Sequence, residues 1–128
     1  MQINIKFFHN DFINAIGAGI YEIIVSKGEK SKSLYIGESV HVMKRCSEHL
    51  YQLKSEPKYF GFTRETIDRS DITLTFKLIE SIDDKKERKL KEKKLITANN
   101  PLSQSGVSDR QKEIGEKIQA LDSFLNSK

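Results

Sequence analysis

Two tripeptides decide the fold of this chain: Gly19-Ile20-Tyr21, inside the stretch AGIYEIIV (residues 18–25), and Tyr35-Ile36-Gly37, inside LYIG (residues 34–37). Both stretches are rich in β-branched and aromatic residues, which favour strands. The polar, basic segment Ser26–Ser33 (SKGEKSKS) separates them and is typical of a turn. The sequence therefore predicts two strands that pair as an antiparallel hairpin.

The sequence after the second tripeptide predicts a helix from Val40 to about Lys54, with Ser39 as its N-cap. The apolar residues of this segment recur with helical spacing: Val42, Met43, Cys46, Leu50 and Leu53. The other predicted elements are short helices at Asn10–Ile16 and near Arg64–Ile67, a strand at Ile72–Ile79, a helix from Asp83 and Asp84 to about Thr97, and a last helix opened by a capping box at Ser108–Gln111. This order predicts an α+β fold in which helices flank a small three-stranded antiparallel sheet, with an extra helix at the C-terminus.

Length and composition limit the possible classes of protein. The 128 residues fit one domain, and the net charge of +4 permits a polyanionic partner without requiring one. A single cysteine, Cys46, excludes an internal disulfide and a zinc cluster of thiolates, and its place on the apolar stripe favours the core over a nucleophile. The N-terminal segment lacks the apolar centre of a signal peptide, and no stretch approaches the roughly 18 apolar residues of a membrane span. We therefore expect a cytoplasmic protein without a membrane partner.

Several side chains suit phosphodiester hydrolysis, which needs a positioned water, stabilisation of charge on the phosphate and usually a metal ion. Residues four apart share a helix face, so His41, Arg45 and His49 form one row. An arginine in that row can bind two phosphate oxygens at once. Glu92 shares a face with the apolar pair Leu95 and Ile96, so its carboxylate should point partly inward, where it can hold a hard cation.

The two tripeptides, in this order and on adjacent strands, resemble the GIY-YIG nuclease family. Either tripeptide alone arises on the order of once in 10⁴ positions under average residue usage. The family also has an arginine on the helix after the second tripeptide and a glutamate on a later helix, and Arg45 and Glu92 occupy those places. The resemblance extends from about Gly19 to Gln104 and implies a metal-dependent endonuclease that acts on DNA.

The resemblance also implies a role for each residue. Glu92 holds one Mg²⁺ or Mn²⁺, Arg45 stabilises the phosphate, and Tyr21 acts as the general base or orients the water. Tyr35 supports this arrangement, His49 assists proton transfer, and Gly37 gives the backbone room beside the substrate. Lys32 is a further candidate for substrate binding. The other turn lysines, Lys27 and Lys30, and the helix residues Arg88 and Lys89 are candidates for contacts with DNA phosphates. The family often has an asparagine near the end of its core, whereas this chain has Asn-Pro-Leu-Ser-Gln at residues 100–104, so Ser103 and Gln104 are the candidates to replace it.

Several alternatives remain open at this level. Glu87 is the alternative to Glu92 as the metal ligand. Both lie in the charged run DDKKERKLKEKK, where the helix register read from sequence can be wrong. His49 is either a catalytic helper or a plain surface histidine. The C-terminal helix at 107–128, separate from the nuclease-like domain at 1–106, either packs on that domain or contacts a second copy or a partner protein. Specificity would come from such contacts or from loops such as 56–70.

The functional alternatives belong to other classes of protein. The first is a catalytically weak nucleic-acid-binding module that keeps this fold, which the altered asparagine position favours. The second is a scaffold unrelated to nucleic acid, which would require the whole set of motifs to be coincidence.

Overall fold

The computed structural model describes residues 1–106 and 109–127. Its elements in chain order are β1 (Asn4–Phe7), α1 (Phe12–Ala15), β2 (Gly19–Lys27), β3 (Lys30–Ser39), α2 (Val42–Ser55), two 3₁₀ turns (Pro57–Phe60 and Thr66–Asp68), β4 (Ile72–Ser81), α3 (Lys85–Asn99) and α4 (Ile114–Asn126). The fold is α+β, as the sequence predicts.

The sheet differs from the prediction, because it has four strands within the described residues and is mixed. The strand order is β1-β4-β2-β3, with β1 parallel to β4 and the other pairs antiparallel. The prediction of three antiparallel strands was wrong because it missed β1. This strand is only four residues long and lies at the edge of the sheet, yet its sequence does alternate: Ile5 and Phe7 are half-buried between exposed Asn4 and Lys6.

The hairpin of β2 and β3 is longer than predicted. Strand pairing continues to Lys27 and Lys30, so only Gly28 and Glu29 form the turn, where the sequence predicted a turn over residues 26–33. Gly28 has a φ of 62°, a left-handed conformation that a tight hairpin turn needs and that glycine adopts without strain. The polar residues beside the turn therefore belong to strands rather than to a loop.

Helices cover both faces of the sheet. On one face α3 packs through a small apolar cluster formed by Ile20, Ile36, Ile82 and Ile96. On the other face lies the main core, to which α2 contributes Val42, Cys46 and Leu53, and α4 contributes Leu121 and Leu125. Tyr21 and Tyr35 face this main core, as expected for strands in which neighbouring side chains point to opposite faces.

The helices begin and end close to their predicted positions, with two corrections. Helix α2 starts at Val42 rather than Val40, with His41 as its N-cap, because Ser39 still belongs to β3 and its hydroxyl accepts a hydrogen bond from the His41 N–H. Helix α4 starts at Ile114 after Glu113, so the predicted capping box does not open it. Ser108, the first residue of that box, and residue 107 lie outside the described residues.

Helix α3 follows the prediction closely. The Asp84 carboxylate accepts a hydrogen bond of 2.9 Å from the Glu87 N–H and thereby caps the first turn. Asn100 ends the helix in a left-handed conformation with a φ of 46°. The residues that this helix buries lie one turn apart, at Arg88, Glu92 and Ile96, so Glu92 points inward as predicted while the rival Glu87 is exposed.

Candidate functional site

A hydrogen-bonded chain of three aromatic side chains lies between the sheet and α2. The Tyr21 hydroxyl and His49 Nε2 share a hydrogen bond of 2.8 Å, and His49 Nδ1 shares one of 3.0 Å with the Tyr59 hydroxyl. Tyr21 and His49 are almost completely buried. Both ring nitrogens of His49 are therefore engaged, and its orientation is fixed from two sides.

His49 is buried, so it is not the plain surface histidine that the sequence left open, and its role as a catalytic helper remains a prediction. Its pKa is lowered to about 3, mainly by burial and in addition by the positive charges of Arg45 and Lys117. The imidazole is therefore neutral at physiological pH, with one nitrogen that donates and one that accepts.

Tyr35 and Arg45 complete this side of the site. The rings of Tyr35 and Tyr21 stack with centroids 6.2 Å apart, and the Tyr35 ring lies 4.7 Å from that of His49. Arg45 is half-exposed, and its one ion pair among the described residues is a contact of 3.5 Å with Glu48. A cleft of about 640 Å³ begins at Arg45 and runs along α2 past Lys44, Tyr51 and Tyr59. Arg45 is thus positioned between the buried tyrosines and an open surface.

Gly37 fixes the place of the Tyr21 ring. The two residues are opposite each other in the hairpin, and a Cβ atom at Gly37 would overlap the Tyr21 hydroxyl. The pairing of β2 with β4 also shifts register between Ile20 and Tyr21, a local irregularity of the kind that redirects a side chain. The glycine of the second tripeptide is needed because the tyrosine of the first lies across it.

Glu92 reaches this region from α3, on the opposite face of the sheet. It is 5% exposed. The pKa of Glu92 is raised to about 7, mainly by burial and in addition by the charges of Asp109 and Glu38, whereas the charge of Lys89 and the backbone of Glu38, the residue after Gly37, act to lower it. Within residues 1–106 and 109–127, no cation lies within ion-pair distance of this carboxylate.

The pKa values of the tyrosines change in the same direction as that of Glu92. The pKa of Tyr35 is raised to about 12 and that of Tyr21 well above its usual value, in both cases mainly by burial. For both, the charge of Glu92 contributes to the increase and that of Arg45 opposes it. The charges of Arg45 and Glu92 therefore act on both tyrosines.

A buried carboxylate with a raised pKa and few protein partners suits a hard cation that keeps most of its waters. The part of the chain that the structure describes has no group of three or more His, Cys, Asp or Glu side chains able to enclose a metal ion. The donor set therefore fits Mg²⁺ or Mn²⁺ held through Glu92 better than zinc, which prefers four protein ligands in structural sites.

Gln104 binds the backbone of the second tripeptide. Its amide oxygen accepts a hydrogen bond of 2.9 Å from the Ile36 N–H, and its amide nitrogen donates one of 2.7 Å to the Ile36 carbonyl. The preceding residues continue this pairing, because Leu102 N–H donates to the Ser33 carbonyl and Ser103 N–H to that of Leu34. The Ser103 hydroxyl, by contrast, is buried without a partner in the described residues. Of the two candidates, it is Gln104 whose side chain contacts the hairpin.

The basic residues expected to contact phosphate have other partners. Lys32 donates a hydrogen bond of 3.1 Å to the Asn99 carbonyl at the end of α3, while Lys27 and Lys30 donate to carbonyls at the end of α4. These are cations at helix C-termini, where the helix dipole favours them. Lys32 lies three residues along β3 from Tyr35, which is roughly 10 Å of strand.

Arg88, a second expected phosphate contact, is buried. Its guanidinium donates to the Glu38 carboxylate at 3.0 Å and to the carbonyls of Ile82 and Asp83. It therefore connects the end of β3 to the start of α3 and is not available to a ligand. Lys89, next to it, is half-exposed and lies 3.5 Å from the Glu38 carboxylate.

Sequence reasoning missed Tyr59, although a signal was present. Glu56 and Pro57 are typical of the start of a helical turn, and Glu56 does cap Pro57–Phe60 by accepting a hydrogen bond from the Lys58 N–H. The sequence interpretation treated residues 56–70 as a loop that sets specificity. It could not foresee that this turn carries a hydroxyl back to His49.

One of the comparisons with known proteins gave a match. Residues 17–105 match the family model described as the GIY-YIG catalytic domain. The matched segment begins just before β2 and ends just after Gln104, so it contains every residue of the candidate site named in the sequence analysis. The search of curated proteins and that of solved structures gave no match. No helix in residues 1–106 and 109–127 is long and apolar enough to cross a membrane.

Proposed function

Since the chain belongs to the GIY-YIG catalytic-domain family, a family of nucleases, we propose that it is a divalent-metal-dependent endonuclease that hydrolyses phosphodiester bonds in DNA. The observation that carries the proposal is the cluster of Tyr21, Tyr35 and His49 beside the glycine of the second tripeptide, with the charges of Arg45 and Glu92 acting on both tyrosines. Three ionisable groups with raised pKa values beside a half-exposed arginine are more typical of a reaction site than of a structural core.

Glu92 would hold the metal ion. When bound, Mg²⁺ or Mn²⁺ would stabilise charge on the phosphate and lower the pKa of a coordinated water. The protonated fraction of Glu92 near neutral pH means that a proton competes with the cation for this carboxylate. Metal affinity should therefore rise as the pH increases through 7.

Arg45 would bind the scissile phosphate. Its guanidinium is half-exposed at the mouth of the cleft and has one weak ion pair among the described residues, so phosphate oxygens can replace that pair at little cost. The charge of Arg45 acts on both tyrosines, so Arg45 is the candidate for the main positive charge that the protein supplies to the transition state.

Tyr21 would accept or orient the proton of the attacking water. Its hydroxyl shares a hydrogen bond with His49 and lies over Gly37, so these two contacts fix the position of its oxygen. Because its pKa is raised in the free protein, Tyr21 needs nearby positive charge to act as a base, and Arg45 already acts in that direction. Tyr35 stacks beside it and would support its position.

Cleavage of supercoiled plasmid and of branched DNA, with Mg²⁺, with Mn²⁺ and with EDTA, tests the proposal. We expect cleavage with either metal and none with EDTA. Glu92→Gln should abolish cleavage while retaining DNA binding, because the substitution keeps the shape and removes the charge that the cation needs. Glu87→Gln is the matched control: it makes the same chemical change at an exposed position of the same helix and should cleave like wild type.

Arg45→Ala distinguishes phosphate binding from metal binding. It should lose both cleavage and affinity for DNA, whereas Glu92→Gln should lose cleavage alone. Undiminished cleavage in EDTA would contradict the metal mechanism. DNA binding without cleavage on any of these substrates would favour the alternative of a catalytically weak nucleic-acid-binding module. A cytoplasmic location, the division at residues 106 and 107, and a homodimer or partner contact through the C-terminal helix remain predictions.

A further inference from the structure

Helix α4 lies outside the segment that matches the family model, yet one of its side chains reaches the candidate site. Lys117 is 4% exposed, which is unusual for a lysine. Its ammonium donates a hydrogen bond of 2.8 Å to the Tyr59 carbonyl and a second one to the Gln111 amide oxygen. It also lies over the Tyr59 ring, 5.1 Å from the centroid. Lys117 therefore contacts both the backbone and the ring of Tyr59, the residue whose hydroxyl is hydrogen-bonded to His49.

The backbone packing around Lys117 is equally close. A Cβ atom at Gly61, which follows the 3₁₀ turn of Tyr59, would overlap the Lys117 carbonyl, so α4 lies directly against this turn. Gly61 has a φ of 89° and thus combines a left-handed conformation with the close approach. Lys117, Tyr59, His49 and Tyr21 therefore form a continuous series of contacts from α4 to the site.

The neutral His49 can take part in this series in two ways. In one tautomer Nδ1–H donates to the Tyr59 oxygen and Nε2 accepts from the Tyr21 hydroxyl. In the other, the Tyr59 hydroxyl donates to Nδ1, and Nε2–H donates to the Tyr21 oxygen. Only the second stabilises a Tyr21 oxygen that carries negative charge, because a donor then faces it.

The charge of Lys117 favours the second tautomer. A cation over an aromatic face is attracted by the ring, and the attraction grows as the ring gains electron density. Because Lys117 stabilises negative charge on the Tyr59 ring, the Tyr59 hydroxyl becomes the better donor and Nδ1 the acceptor. Lys117 and Arg45 together also disfavour an imidazolium, which would donate from both nitrogens.

We propose that Lys117 is a positioning residue for this active site: through Tyr59 it holds His49 in the Nε2–H tautomer, so that His49 donates to the oxygen of Tyr21. The proposal rests on the proposed function for the role of Tyr21, but the tautomer itself is a property of the folded protein without DNA. Helix α4 is then part of the catalytic unit.

Nitrogen-15 NMR of the histidine side chains tests the tautomer directly and requires no cleavage. We expect His49 of the wild-type protein to be in the Nε2–H form. Lys117→Gln keeps a donor for the Tyr59 carbonyl and removes the charge, so the Nδ1–H form should appear. Lys117→Arg restores the charge and should restore the wild-type spectrum. Lys58→Gln, which removes an exposed charge from the same 3₁₀ turn, is the matched control and should leave the spectrum unchanged.

Lys117→Met removes the charge from a side chain of similar length, so it tests the same chain if Lys117→Gln does not fold. The Nδ1–H form should appear in this variant as well. An Nδ1–H form in the wild-type protein, or an unchanged Nε2–H form in Lys117→Gln or in Lys117→Met, would overturn the proposal. In the cleavage assay, Lys117→Gln should lower kcat by roughly 10- to 100-fold, the range of supporting residues around a site, with KM little changed.

Discussion

Replacing Glu92 by Gln should make the free protein more stable at pH 8 and leave its stability at pH 4 almost unchanged. The reason is the pKa of this buried carboxyl, which is raised from its ordinary 4.5 to about 7, mainly by burial. The folded state therefore holds the proton more tightly than the unfolded state does. As the pH rises from below 4.5 to above 7, the folded protein must lose a proton that it binds well, and the free energy of unfolding falls.

The size of this effect follows from the pKa shift. Each unit corresponds to about 1.36 kcal/mol, so the shift amounts to roughly 3 kcal/mol of stability lost by the wild-type protein between pH 4 and pH 8. Glutamine carries no charge and keeps the shape of the glutamate side chain. The Glu92→Gln variant should therefore avoid this loss and exceed the wild-type stability by up to about 3 kcal/mol at pH 8.

Urea denaturation in EDTA, repeated at several pH values from 4 to 8, measures this difference. Glu87→Gln is the control, because the same chemical change at an exposed position of α3 should leave the pH profile unaltered. Addition of Mg²⁺ at 100 times its dissociation constant should then stabilise the wild-type protein by about 2.7 kcal/mol and the Glu92→Gln variant by nothing measurable. If the difference between variant and wild type does not grow with pH, the reasoning about a buried, raised-pKa carboxylate is wrong.

Three further predictions concern the framework and the charges. Gln104→Ala should destabilise the protein by about 2 kcal/mol or more in the same denaturation assay, because it leaves the Ile36 N–H and carbonyl unpaired. Ser103→Ala removes a buried hydroxyl that has no partner in the described residues, so it should be neutral or stabilising. Gly37→Ala should abolish cleavage without preventing folding, as circular dichroism can show, because the added methyl displaces the Tyr21 ring; full activity in this variant would contradict the role of the glycine. Arg45→Ala should reduce the slope of log affinity for DNA against log salt concentration by about one. Lys30→Ala should lower stability and leave that slope unchanged, because the Lys30 ammonium is engaged at the end of α4. The reverse pattern would show that the turn lysines contact DNA.

The hairpin, α2 and α3 could be predicted from the sequence because their signals are local. Strand propensity around both tripeptides, the helical spacing of Val42, Cys46 and Leu53, and the N-capping sequence at Asp84 each depend on only a few neighbouring residues. The inward direction of Glu92 follows from its spacing of four residues from Ile96. The resemblance to a family then supplied the functional roles, which periodicity alone does not give.

What the sequence did not reveal depends on contacts between distant residues. Arg88 and the turn lysines look like solvent-exposed cations in any local window, and only the folded chain places a carboxylate or a helix end beside each of them. His49 is buried because Tyr59 and Tyr21, 10 and 28 residues away, satisfy both of its nitrogens. A histidine without those partners would remain at the surface, as the exposed His41 does.

Several polar side chains support the backbone at residues 36–38. Gln104 holds Ile36 through two hydrogen bonds, and Arg88 and Lys89 hold the Glu38 carboxylate. Gly37 lies between Ile36 and Glu38, and the Tyr21 ring packs directly against it. Misplacement of a catalytic group by about 1 Å can lower a rate on the order of 100-fold, so rigidity at Gly37 translates directly into the position of the Tyr21 oxygen. The fold thus concentrates its buried hydrogen bonds on the strand segment where a small shift would be most costly to the proposed reaction, and it tolerates the unfavourable burial of Glu92 beside that segment.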